Sequence, residues 1–395
     1  EKFITEKSVI MVGGGPSVDE NIDLIKEFDS KGYAIIAAGS SLGSLIKEGI
    51  TITAVVLLER ASEVYMSVKK IVDEGYSFKN VTLISSFTTD PRLPSLFKNN
   101  ITFHRPASTS AQFFLPDSQR TSLFISGPEA ANATLEFLVK CGFRSVIAFG
   151  CDFSSPSRSK YRATNCMGLS ERPMNKPMFS NAKSTVYSEN TLIASRDTLD
   201  NFISAISEFK FFRIGTGIPV KKAFKDLPKY QSDLLPDLKF VTSKDFISKL
   251  KESTQEVNFS RKEIKDKINS IIIALQSYSK KYERCLSNSS EWTIKSHRSM
   301  GEFLHEDRLE GDFDPDKIVS FLLRQIAFVV TTLVYDHDTK QDYKLYMEKA
   351  IDSMNYAASF YIALLTAWLS LIPDDESKPI PEWSPDLVIE AVKKN

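Results

Sequence analysis

The 395 residues give room for about two domains and a sizeable core. With 42% hydrophobic and 25% charged residues, the composition is that of an ordinary globular chain. Fifty basic residues balance 50 acidic ones, which excludes a global field drawing nucleic acid or an anionic membrane as the main partner. Four cysteines (Cys141, Cys151, Cys166, Cys285) lack CxxC or paired spacing, so no disulfide framework is expected and a reducing cytoplasm fits. The first residue is Glu1, a strand begins almost at once and no signal-peptide pattern is visible. A fragment or processed form without its upstream domain is therefore expected.

Taken in order, residues 9–12 form a short apolar run bounded by turn formers, which reads as a buried parallel strand. Gly13, Gly14 and Gly15 then let the backbone turn sharply, and Pro16 leads into a helix whose apolar face is Ile22, Ile25 and Phe28. Ser17 and Glu20 have capping-box spacing. A strand, a glycine turn and a helix N-terminus direct unpaired N–H groups and a positive dipole end at one spot, which suits a nucleotide phosphate. The turn carries Val18 where a dinucleotide fingerprint has its third glycine. The second strand, 33–38, ends in Gly39-Ser40-Ser41 rather than an acidic residue. No lysine lies in the turn, so NAD and Walker-type ATP chemistry are both disfavoured. The alternative is a strand–helix turn that binds nothing.

Up to about residue 215 the pattern is strand, helix, strand, repeated. Further strands are expected at 54–58, 81–85, 101–103, 146–149 and 211–214. Helices are expected at 22–28, 41–47, 62–74, 129–140 and 196–209. This predicts an α/β fold with a mainly parallel sheet covered on both faces, binding its ligand beyond the strand carboxyl ends at a topological switch point. The residues that follow strands are therefore the candidates: Gly39, Ser40 and Ser41; Glu59 with Arg60; Ser86, Thr88 and Thr89; Gly150, Cys151, Asp152 and Phe153. Ser126 and Gly127 open a further helix. Asp152 is the acidic residue best placed by position, and its alternative is a structural hydrogen bond to loop amides. Residues 154–194, with Tyr161, Arg162, Asn165, Arg172, Tyr187, Glu189 and Asn190, read as a long active-site loop or a surface excursion.

A Lys-, Asp- and Pro-rich stretch from 218 to 236 marks a domain boundary. The organisation expected is a catalytic domain over 1–220, a linker over 221–240 and an all-helical domain over 241–395. Its helices are expected at 246–250, 264–282, 318–335, 343–372 and 387–393. Two of these stretches, 318–335 and 354–372, are long enough to test as membrane spans. Arg324 and Gln325 in the first, and Asn355, Ser359 and Ser370 in the second, favour buried helices of a bundle instead. Asp312, Asp314 and Asp316, like Asp336 and Asp338 around His337, fit helix capping better than a metal site. His104, His297, His305 and His337 form no zinc pattern. No metal is expected.

The glycine turn Gly13-Gly14-Gly15-Pro16-Ser17, Ser126-Gly127 opening a helix, and Gly150-Cys151-Asp152-Phe153 ending a strand together resemble the motility accessory factor (Maf) glycosyltransferases. The series is also similar to the bacterial CMP-sialic-acid sialyltransferases and to archaeal 6-hydroxymethylpterin diphosphokinases. The likeness covers roughly residues 7–215, with a helical C-terminal region like that of the Maf proteins, which normally carry a further N-terminal domain. It implies a Rossmann-like, sialyltransferase-like sheet domain. It also implies cytoplasmic transfer of pseudaminic or legionaminic acid from the CMP donor to Ser or Thr of flagellin during flagellum assembly. The CMP-sugar is then the substrate and no cofactor is implied. By position, Gly14, Gly15, Pro16 and Ser17 would approach the phosphate and ribose, and Ser126 and Gly127 would add donors. The sialyltransferases use a catalytic histidine and the loop here has none. Asp152, Glu189 or Tyr187 would have to serve as base. Two alternatives remain: an ATP-dependent pterin diphosphokinase-like enzyme, and a non-catalytic scaffold that binds flagellin through the helical domain. The oligomeric state is not legible.

Overall fold

The structure is a computed structural model. It describes residues 5–59, 61–105, 122–123, 127, 129–168, 172–232, 238–254, 260–287, 314–316, 318–319, 323, 340–375 and 377–378. The chain divides into two compact units. One comprises Glu1–Pro106 and Thr121–Glu256, the other Ala107–Arg120 and Val257–Asn395.

The first unit is built on strands β1 (Thr5–Val12), β2 (Ile35–Ala38), β3 (Ala54–Leu57), β4 (Phe78–Ser86), β5 (Phe97–Phe103) and β6 (Phe143–Phe149). Helices α1 (Ser17–Ser30), α2 (Ser41–Lys47), α3 (Ser62–Asp73) and α4 (Ala130–Lys140) lie between them. A hairpin of β7 (Lys176–Phe179) and β8 (Thr185–Ser188) follows, then α5 (Asn190–Ala205), β9 (Lys210–Ile214), β10 (Lys225–Leu227) and α6 (Ser243–Ser253). Eight strands form one sheet in the order β10-β9-β6-β1-β2-β3-β4-β5, and every pairing in it is parallel.

Apolar residues fill both faces of the central strands, so their side chains alternate between two separate cores. Val9, Met11, Ile36, Val56, Val146 and Ala148 point to one side, against α4, α5 and α6 through Leu135, Leu199 and Phe246. Ile10, Val12, Ile35, Val55, Ile147 and Phe149 point to the other, against α1, α2 and α3 through Ile25, Leu42 and Val68. Each of the larger of these buried side chains (Val, Leu, Ile, Met, Phe) contributes roughly 1.5–3 kcal/mol. An exposed ion pair such as Lys31–Glu27 adds little beside this, because water screens it and two long side chains must be ordered to make it. The double apolar core therefore sets the fold. The chain runs outward from β1 to β5, returns through α4 to lay β6 on the other side of β1, and runs outward again. The switch point lies between β1 and β6.

Three expectations change. The stretch 221–240, read as linker, carries β10 on the sheet edge, with Lys225 opposite Phe212. At its end, Ser8 N–H donates to the Lys239 carbonyl (2.7 Å) and Ala34 N–H to that of Val241 (2.8 Å), which ties this segment to β1 and β2. An edge strand tolerates Lys and Asp because one flank faces water, which is why its composition looks like a linker. The loop 154–194 contains the hairpin, whose four-residue strands are too short, with Pro177 inside one, to show as a period. Helix α1 begins five residues before the expected start, and Ser17 lies inside it rather than capping with Glu20.

In the second unit, α7 (Arg261–Ser287) and α8 (Lys340–Leu371) pack Ile271, Leu275 and Ala274 against Ala357 and Ala358, with Ile318, Val319 and Leu323. Lys265 pairs with Asp374, and Arg261 Nη1 donates to the Asp375 carbonyl at 2.6 Å. Among the described residues no helix is long and apolar enough to cross a membrane, and α8 contains all but the last residue of the second tested stretch. Most of 318–335, all of 387–393, the 336–338 cluster, Asp312, His297, His305, Arg60 and Ser126 lie outside the described residues.

Candidate active site

At the switch point the loops after β1 and β6 meet backbone to backbone. Gly13 N–H donates to the Phe149 carbonyl at 2.7 Å and Gly15 N–H to the Gly150 carbonyl at 2.8 Å. A Cβ on Gly13 would lie 2.5 Å from the Gly150 oxygen, and Gly150 has φ +65°, so neither position admits a side chain. This is the physical reason for glycine at both strand ends.

The helix start expected to hold a phosphate already holds a protein carboxylate. Ser17 N–H donates to Asp152 Oδ2 (2.8 Å) and Ser17 Oγ to Asp152 Oδ1 (2.6 Å). Asp152 arrives from the end of β6 and is 1% exposed. Burial raises its pKa to about 6 against the pull of the two Ser17 bonds and, further off, Arg213. Arg213 is itself buried on β9 and paired with Asp226 Oδ1 at 2.5 Å. The amides of Gly13, Gly15 and Ser17 are thus all committed within the protein.

Beside this junction a cleft of roughly 210 Å³ opens. Its wall takes in Gly13, Gly14, Gly15, Gly39, Ser40, Glu59, Gly150, Asp152 and Phe153 from the sequence-based set. The start of α4 adds Glu129, Ala130 and Ala131. Among the described residues helix α4 has no side-chain N-cap; Asn132 N–H turns back to the Glu129 carbonyl (3.1 Å), and the amides of Ala130 and Ala131 are the ones its start offers a ligand. Glu63, Val64 and Ser67 of α3, together with Tyr161, Arg162, Met167, Gly168 and Arg172 of the loop after β6, complete the enclosure.

That loop is strapped down. Ala163 N–H donates to the Gly14 carbonyl (3.0 Å) and Met167 N–H to that of Ser40 (2.8 Å). Asp19 accepts from Thr164 N–H, Thr164 Oγ1 and Lys160 Nζ at 2.8–2.9 Å. Burial works against the Asp19 charge, but these bonds outweigh it and hold its carboxyl below the usual range.

The remaining candidates lie off the wall. Pro16 and Ser17 sit behind the turn, and Ser41 Oγ is spent on the Val12 carbonyl at 2.6 Å. Gly127 does not line the cleft. Tyr187 pairs its backbone with Ser155 and lies under Arg158. Glu189 caps α5 by accepting from Thr191 N–H (2.7 Å) and Leu192 N–H (3.2 Å), and it pairs with Arg172. Burial pushes the Cys151 and Cys166 thiols to about 12 and about 11, so neither supplies a thiolate. Among the described residues no group of three His, Cys, Asp or Glu side chains is arranged to hold a metal ion. The opening of α4 was expected at the site through Ser126 and Gly127, but its wall residues Glu129, Ala130 and Ala131, like those of α3, were not singled out from sequence. They reach the cleft only through the order of the strands.

The model of the family described as 6-hydroxymethylpterin diphosphokinase MptE-like matches residues 1–158. No curated protein matches the chain. Among solved structures, a MAf glycosyltransferase from Magnetospirillum magneticum AMB-1 is similar with a TM-score of 0.71 and 21% sequence identity. The likeness covers 99% of this chain and 59% of that one, so the present chain spans less than two thirds of the protein it resembles. It therefore extends over the C-terminal helices as well as the sheet. The chain shares its fold with a Maf-type glycosyltransferase.

Proposed function

We propose that the chain is a glycosyltransferase that moves a nonulosonic acid, pseudaminic or legionaminic, from its CMP donor to a Ser or Thr hydroxyl of flagellin. The observation that carries this reading is the switch-point cleft itself. It has a glycine turn without a Walker lysine, an uncapped helix start and one buried carboxylate whose pKa lies near 6. The fold shared with the Maf glycosyltransferase supports it.

In the step proposed, the bond between the sugar anomeric carbon and the phosphate oxygen breaks, and its electron pair leaves with CMP. The acceptor oxygen bonds to the same carbon, and its proton passes to Asp152. A carboxyl with pKa near 6 is mostly ionised at neutral pH yet basic enough to take that proton in the transition state. Of the three candidates only Asp152 lines the cleft, which supports it over Glu189 and Tyr187 as the base. Amides at the α4 opening would stabilise charge on the departing phosphate. The reading puts the reaction in the cytoplasm.

A pterin diphosphokinase-like reaction is the second reading, favoured by the family match over residues 1–158 and by Glu59, Glu63 and Glu129 in the cleft wall. Incubation with each CMP-sugar and flagellin, followed by mass spectrometry of the flagellin and quantification of CMP, separates the two. A mass gain with matching CMP release is expected. Turnover of ATP with 6-hydroxymethylpterin, and none of the CMP-sugars, would replace the first reading with the second.

A further inference from the structure

Among the described residues, an anionic donor meets a wall with more negative than positive groups: Glu59, Glu63, Glu129 and Asp152 against Arg162 and Arg172. The positive end of α1 is already occupied by Asp152. The donor's charge must therefore be met elsewhere. Arg162 turns one nitrogen onto the Met167 carbonyl (2.6 Å) and lies against the Tyr161 ring.

Arg172 is held differently. Its Nη1 alone donates to Glu129 Oε1 (2.6 Å) and to Glu189 Oε1 (3.1 Å). Nε and Nη2 carry no partner among the described residues. The two carboxylates stand at the starts of α4 and α5, and Glu189 is itself fixed by two amides of α5. One nitrogen thus anchors the guanidinium to two helix starts, and among the described residues the other edge of the planar fork is left without a partner.

We propose that Arg172 is the donor-recognition residue of this cleft, its Nε–Nη2 edge taking an oxyanion of the CMP-sugar in bidentate fashion. Such an edge matches two oxygens of a phosphate or of a carboxylate, and lysine cannot reproduce it. The donor carries both groups, the phosphate of CMP and the carboxylate of the sugar. Anchoring by Glu129 and Glu189 keeps the fork oriented before the ligand arrives, which reduces the ordering cost of binding. This inference rests on the glycosyltransferase reading above.

The test measures dissociation constants of CMP and of the CMP-sugar for the intact chain and for Arg172→Lys and Arg172→Ala, alongside thermal midpoints. The lysine variant keeps a cation between Glu129 and Glu189 and is expected to melt near the wild type. It should nonetheless bind the CMP-sugar about 10- to 100-fold more weakly. If CMP weakens equally, the oxyanion is the phosphate; if CMP is unaffected, it is the sugar carboxylate. Unchanged affinity for both ligands in Arg172→Lys, with the wild type binding both, would overturn the proposal and leave the function standing. A wild type that binds neither would overturn both.

Discussion

Replacing Asp152 by Asn tests the electrostatics on which the proposed base depends. The carboxyl is buried, and its pKa rises from 3.8 to about 6 because burial outweighs the Ser17 bonds. Between those values the folded chain holds a proton that the unfolded chain has released, so this group's contribution to stability falls as pH rises. At roughly 1.4 kcal/mol per pH unit, the loss across the window is about 3 kcal/mol, with no further change above pH about 6. The Asn variant lacks this dependence. It misplaces one acceptor against Ser17, a pH-independent cost of about 1–3 kcal/mol. Wild type should therefore exceed Asp152→Asn in stability near pH 4, and by pH 7 that lead should vanish or reverse. Urea denaturation of both proteins at several pH values reads the difference directly. A constant gap, or one that widens with pH, would show that the Ser17 donors hold the carboxylate ionised, and Asp152 would then be too weak a base for the proposed step.

Two further substitutions probe the same junction. Gly15→Ala places a Cβ against Asp152 Oδ2 and 2.7 Å from the Gly150 oxygen, both fixed by backbone contacts. It should cost about 1–3 kcal/mol in denaturant melts and abolish CMP binding; wild-type stability would mean the two loops are looser than described. Ser17→Ala removes the 2.6 Å donor to Asp152, so the acid limb of the pH–rate profile should move to higher pH with a stability loss of about 1 kcal/mol. An unmoved profile would take Asp152 out of the proton transfer.

The parts legible in the sequence are those set by local pattern. Uninterrupted apolar runs such as Ile35–Ala38 announced parallel strands, and α2 lies at the expected 41–47 because small residues open it and a buried Leu42–Leu45 pair follows. Glycines at 13–15 and 150 pointed to the switch point because close backbone approach requires them. What was not legible depends on long-range contact. Ser17 looked like a capping-box residue, yet its partner is Asp152, 135 residues away. Glu189 looked like a candidate base, yet it caps α5 and anchors Arg172, whose other partner lies 43 residues from it. Strand β10 was hidden by the Lys and Asp that suit an exposed edge.

Calorimetric titration of the intact chain with CMP, and separately with ATP and magnesium, tests the central claim most directly. Saturable CMP binding that is lost in Gly15→Val, with no comparable response to ATP, is the predicted result. Tight ATP binding with no heat from CMP would contradict the assignment of the switch-point cleft to a cytidine monophosphate donor.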